Sequence, residues 1–139
     1  MFSVAIGAVV KTLYATRWSA RADAIKCIFM HYQYIRKALT VISDDNRQTV
    51  KTRAEANGLA KKMKQLETAL LTVMWHTLLD RFNATSASFQ KADIDLLTAV
   101  KLNQSLITFM EQMRETIDHM EIKAKSFVDN PKYKEVGTG

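Results

Sequence analysis

Turn chemistry is scarce in this chain: four glycines and one proline stand among 139 residues. Gly and Pro are the strongest local punctuators, so their scarcity excludes a fold of many short, tightly turned strands and implies few, long elements. A single cysteine, Cys27, excludes an internal disulfide framework and suits a reducing compartment. No long hydrophobic run is present. The apolar block Phe2 to Val10 is about half of what a bilayer span requires. Its first flanking positive charge, Lys11, follows the block instead of preceding it, unlike a secretory signal. Acidic residues are the minority, fourteen Asp and Glu against twenty Lys and Arg, and the resulting +6 permits a polyanionic partner.

What is present reads as helix. Hydrophobic residues make up 47% of the chain, above the disordered regime, and the length suits one domain with a modest core. From about 19 to 43, Ala24, Ile28, Tyr32, Ile35, Leu39 and Ile42 recur three and four apart on one face. Asp44-Asp45-Asn46-Arg47 then supplies turn-favouring residues. Thr52 and Glu55 form a capping-box pattern that predicts a second helix over about 52–83. Its face carries Leu59, Met63, Leu66, Leu70 and Val73, and the all-round apolar stretch Leu70 to Leu79, with Trp75, is its expected buried half. Asn83-Ala84-Thr85-Ser86-Ala87-Ser88 reads as a polar link with serine N-caps. A third helix over about 88–128 carries Leu102, Leu106, Phe109, Met113, Ile117, Met120, Ala124 and Phe127, a rhythm suited to bundle or coiled-coil packing. Asn130-Pro131 stops it. The expected fold is therefore all-α, an elongated bundle of three long helices. Residues 1–18 form an irregular or strand-like lead-in, 19–129 the helical domain, and 130–139 a disordered tail.

Few constellations carry chemistry. Cys27 and His31 share a helical face, but zinc needs a third protein ligand, and only the distant His76 and His119 remain as nitrogen donors. A small buried cysteine beside a half-exposed histidine explains the pair, and no metal or other cofactor is expected. Asp93 and Asp95 fall in the first turn expected for the third helix, where negative charge complements the dipole. No Gly-rich phosphate loop, Ser-His-Asp set or activated-cysteine context occurs. Between Arg36 and Lys64 there are eight basic residues against three acidic ones, either a solvated face or a polyanion-facing surface. If the first two helices are antiparallel, Arg47, Lys51 and Arg53 gather at their connecting turn, with Arg17 and Arg21 at the other end of the first helix. The Arg17-Trp18 step, flanked by Thr16, Ser19 and Arg21, offers an aromatic face and two phosphate-seeking forks. On composition alone it reads first as a tryptophan closing the end of a bundle, with arginines in solvent.

The block Leu13 to Ala24, with Arg17-Trp18 at its centre, resembles the opening of the helical insertion domain of hAT-superfamily transposases, in the zinc finger MYM-type protein 1-like branch. Thr52-Arg53-Ala54-Glu55-Ala56-Asn57-Gly58-Leu59 is similar to that branch's "tr-x-E-A-x-x-L" segment. Trp75 to Asn83 is similar to its "W-x-x-(I/L)-L-x-x-x-N" segment, followed by Ser86-Ala87-Ser88-Phe89-Gln90 for "S-x-x-L-Q". The order and spacing of these pieces, from about Lys11 to Tyr133, carry the resemblance.

The resemblance implies a nuclear, transposon-derived protein whose helical domain holds DNA ends and makes protein contacts. The role of supporting a flipped-out base falls on Trp18, with Arg17 beside it. Two family catalytic carboxylates lie before the insertion domain and the third after it, and the Cys-His pair that the family carries upstream is missing. The expectation is a truncated or relic fragment that is not an enzyme. DNA would be met by Arg17, Trp18, Arg21, Arg47, Lys51 and Arg53, and a protein partner or second copy by Phe109, Met113, Ile117 and Met120. The alternative is a helical protein-interaction or dimerisation module that binds no nucleic acid. No membrane partner is expected.

Overall fold

The computed structural model describes residues 19–91 and 93–133. Every regular element among them is an α-helix, so the all-α expectation holds. The three long helices do not: each is divided. Helix α1 covers residues 19–30 and α2 Tyr32–Asp44; α3 is Val50–Met63 and α4 Leu66–Phe89; α5 is Leu96–Glu115 and α6 Ile117–Lys125. At His31 the backbone departs to φ −120°, ψ 24°, yet the ladder bond from His31 N–H to the Cys27 carbonyl survives at 3.0 Å. At Lys64 and Thr116 the N–H turns back three residues, to Lys61 and Met113, the tightening that ends a helix without Gly or Pro.

The α3 start lies ahead of the expected Thr52. Thr49 is the N-cap, its hydroxyl accepting the Thr52 N–H at 3.1 Å, so Thr52 receives the cap and Glu55 is left exposed. The link expected at 83–88 is helical instead. Ser88 donates its hydroxyl to the Ala84 carbonyl at 3.1 Å, a partner inside the helix, and Thr85 is buried. The chain turns only after Phe89, and Asp95, not a serine, caps α5. The last helix ends at Lys125, before Asn130-Pro131. The N–H groups of Ser126 and Phe127 bond three residues back, and that tight turn carries Phe127 and Val128 inward.

Two compact units divide the chain, one of residues 27–74 and 118–139, the other of 1–26 and 75–117. The first holds most of the described core. Helices α2 and α3 form a hairpin whose α3 side is lined by Ala56, Ala60 and Met63, one position off the expected Leu59, which is 52% exposed. Small alanines there let the helices approach closely. Leu66, Ala69, Thr72 and Val73 of α4 are buried too. Tyr32, only 2% exposed, stacks on Phe127 with ring centroids 4.8 Å apart, and Phe29 meets Phe127 edge-on at 5.5 Å. The Lys123 ammonium lies over both Phe rings, 5.3 Å from Phe127 and 5.6 Å from Phe29. Gln33 donates to the Phe127 carbonyl at 2.8 Å, and Arg36 pairs with Asp129 at 3.0 Å, so α2 clamps the final turn from two sides.

The α2–α3 hairpin is locked reciprocally. Tyr32 of α2 donates its hydroxyl to the Met63 carbonyl at the end of α3, 3.0 Å away. Arg53 of α3 donates through Nε to the Ser43 carbonyl at the end of α2, at 3.1 Å. Each helix thus satisfies a C-terminal carbonyl of the other.

In the second unit the described core is thin: Ala22, Leu79 and Thr85 are buried. None of the twenty residues of α5 is buried. The stretch Leu70 to Leu79, expected to be buried all round, is not: Leu71 is 52% and Trp75 46% exposed, on the side opposite Val73.

Candidate functional site

Of the residues expected to meet DNA, Arg17 and Trp18 lie outside the described residues. Arg21 is exposed on α1, in the unit that does not contain the hairpin. Arg47, Lys51 and Arg53 do come together, at the α2–α3 turn, where the first turn of α3 adds the positive end of its dipole.

That turn is nevertheless self-compensated. Arg47 folds back on Asp45, its Nε and Nη2 donating at 3.0 and 3.3 Å, and its backbone N–H reaches the same carboxylate at 3.0 Å. The Arg47 bonds hold the Asp45 carboxyl below its ordinary range. Arg53 is half-buried and occupied with the Ser43 carbonyl. A cavity of about 380 Å³ opens beside it, lined by Ser43, Asp44, Val50, Ala54 and Asn57, and its one carboxylate opposes anions. Lys51 is exposed at the rim of the turn.

The apolar stripe expected to meet a protein is divided by the Thr116 break. Phe109 and Met113 are half-buried, Ile117 is 43% exposed, and Met120 lies in α6 of the other unit at 8% exposure. Met120 is therefore core, not docking surface. The unbroken rhythm of the sequence conceals the end of α5 at Thr116. A different set is presented instead: Leu96 is 81% exposed, Leu97 63%, Val100 56%, Ile107 50% and Met110 46%. At 100° per residue, Leu96, Val100, Ile107 and Met110 fall on one side of α5, flanking the half-buried line of Leu102, Leu106, Phe109 and Met113. Sequence reasoning missed this flank because it followed the strongest heptad line and stopped there. The signal was present as a second run of large apolar residues shifted by one or two positions.

The opposite flank of α5 is polar and faces a cavity of about 410 Å³. Lys101, Gln104, Ser105, Thr108, Phe109 and Gln112 line it from α5, and Arg81 enters from α4. Arg81 donates through Nη2 to the Ser105 hydroxyl at 2.6 Å, and its guanidinium lies 5.3 Å from the centre of the Phe109 ring.

The paired carboxylates and the Cys-His pair are accounted for locally. Asp95 accepts the Thr98 N–H at 2.6 Å, a bond that holds its carboxyl below the usual range, and Asp93 precedes it in the turn. Asp95 thus sits at the cap itself, just ahead of the first turn. Cys27 is exposed, where the sequence reading expected it buried, and His31 is exposed with its backbone at the α1–α2 break. Among the described residues no three His, Cys, Asp or Glu side chains gather as metal ligands, and no helix is long and apolar enough to cross a membrane.

No protein-family model matches the chain, nor does any curated protein or solved structure.

Proposed function

We propose that this protein is a non-catalytic helical interaction module that pairs with a second copy of itself through α5. The exposed apolar flank of α5 carries this reading: in a 20-residue helix with no buried residue, Leu96, Val100, Ile107 and Met110 lie on one side in solvent. Contiguous apolar surface of this kind marks protein contact. Two such flanks facing each other would form a knobs-into-holes seam. The close carboxylates support a role without catalysis, since Asp95 caps α5 and Asp45 holds Arg47. Sedimentation equilibrium tests the pairing. The wild-type chain is expected to dimerise at tens of micromolar and Ile107→Asp/Met110→Asp to remain monomeric; a wild-type monomer over that range overturns the reading.

A second reading is the hAT-type one, in which the module also contacts DNA ends in the nucleus. It is supported by the placing of Arg47, Lys51 and Arg53 at one turn, and the resemblance gives Arg17, Trp18 and Arg21 the same expected role. Phosphate contacts give binding a steep negative salt dependence. Hairpin-DNA binding that weakens with salt and with Trp18→Ala supports this reading; salt-insensitive or absent binding removes it.

A further inference from the structure

The cavity between Arg81 of α4 and the polar flank of α5 differs in chemistry from the one beside Arg53, whose lining includes Asp44. Two cations, Arg81 and Lys101, line it with two hydroxyls and two carboxamides, and no carboxylate is among its lining residues. Arg81 is half-buried, and its Nη2 donates to the neutral Ser105 hydroxyl. No carboxylate opposes this guanidinium within the cavity, so an anion entering it meets two cations and no like charge. The Phe109 ring beneath the guanidinium holds its plane, and Ser105, accepting from Arg81, keeps its own proton to donate into the cavity.

We propose that this cavity binds a phosphate group of an organic phosphate. Arg81 supplies a planar fork and Lys101 a point charge, the pairing that suits a tetrahedral anion with several acceptor oxygens. Ser105, Thr108, Gln104 and Gln112 supply more neutral donors than the two oxygens of a carboxylate can use. A volume of about 410 Å³ admits more than the phosphate alone, so the ester group it carries lies within the cavity mouth. None of its lining residues belongs to the exposed apolar flank of α5 or to the α2–α3 turn.

Titration calorimetry on the full chain tests it, with inorganic phosphate, adenosine monophosphate and a short single-stranded oligothymidylate as probes. At least one probe is expected to bind, and Arg81→Gln and Lys101→Ala are each expected to weaken it about tenfold or more. Lys101 is exposed, so its substitution leaves the fold intact even if Arg81→Gln does not. Lys62→Ala, an exposed cation on α3, is expected to leave affinity for the two small probes unchanged. Binding of the small probes identifies a free phosphate compound, and binding of the oligonucleotide alone identifies a backbone phosphodiester. No binding by any probe, or binding indifferent to Lys101→Ala, overturns the proposal. Either result leaves the sedimentation outcome untouched.

Discussion

At the residue scale, Tyr32 does the most. It is buried, stacked on Phe127 and bonded to the Met63 carbonyl, and burial pushes its hydroxyl up from 10.0 to about 12. Nearby Arg36 opposes that rise only in part. A folded-state value above the unfolded one means that the neutral form stabilises the fold. That contribution is complete below pH 10.0 and is lost as pH climbs toward about 12. Chemical denaturation across that window should show a falling stability whose slope Tyr32→Phe lessens, and at neutral pH the same substitution should cost about 1–2 kcal/mol through the orphaned carbonyl. A variant that keeps the alkaline slope would locate its source elsewhere. Phe127→Ala should cost about 3–5 kcal/mol, because Phe127 closes the cluster of Tyr32, Phe29 and Lys123. Trp75→Ala should cost clearly less, since Trp75 is 46% exposed. Equal losses in a thermal melt would contradict this difference in burial. The importance of Tyr32 was half legible in the sequence: its place on the apolar face was visible, its bond to a carbonyl thirty-one positions away was not.

At the scale of elements, helix type was legible throughout and helix breaks were not. Periodicity of 3.6 is set by which side chains face a neighbour, and it persists across a one-residue disruption such as His31 or Thr116. The Asp44 to Arg47 turn was readable because its polar residues bond their own backbone, as Asp45 does with the Arg47 N–H. The serine-rich stretch before Phe89 misled for the complementary reason: hydroxyls serve equally as N-caps or as intrahelical donors, and only the tertiary setting decides. The cap that does start α5, Asp95, yields a test. Asp95→Ala should lower the melting temperature, while Asp95→Asn should retain the cap, since either side chain can accept the Thr98 N–H. With its carboxyl held below the ordinary range, Asp95 stabilises the fold above that range, and the contribution falls away as pH drops through the depressed value. The wild type should therefore lose stability in acid more steeply than Asp95→Asn. Identical acid limbs for the two would remove the charge from the account.

At the scale of the whole molecule, the contrast between the two units decides how the protein behaves. The 27–74 and 118–139 unit has Tyr32, Met63, Leu66, Val73, Met120, Phe127 and Val128 buried together with small alanines, and its hairpin ends are mutually capped. The α5 helix has half-buried contacts at best and a whole apolar flank in water. The sequence presented both as comparably amphipathic, because hydrophobic spacing records which residues can be buried and not which surface is there to bury them. Amide exchange follows the free energy of local opening, which depends on buried apolar contacts around each helix. The amides of α5 should therefore exchange well before those of α2 and α3 in dilute protein. If α5 pairs with its own copy, raising the concentration through the dimerisation range should slow α5 selectively, since partner binding stabilises by mass action. Ile107→Asp/Met110→Asp should abolish that dependence and leave α2 and α3 unaltered. Protection of α5 equal to that of α3 at every concentration would show that its flank is already satisfied within one chain, and the pairing would fall with it.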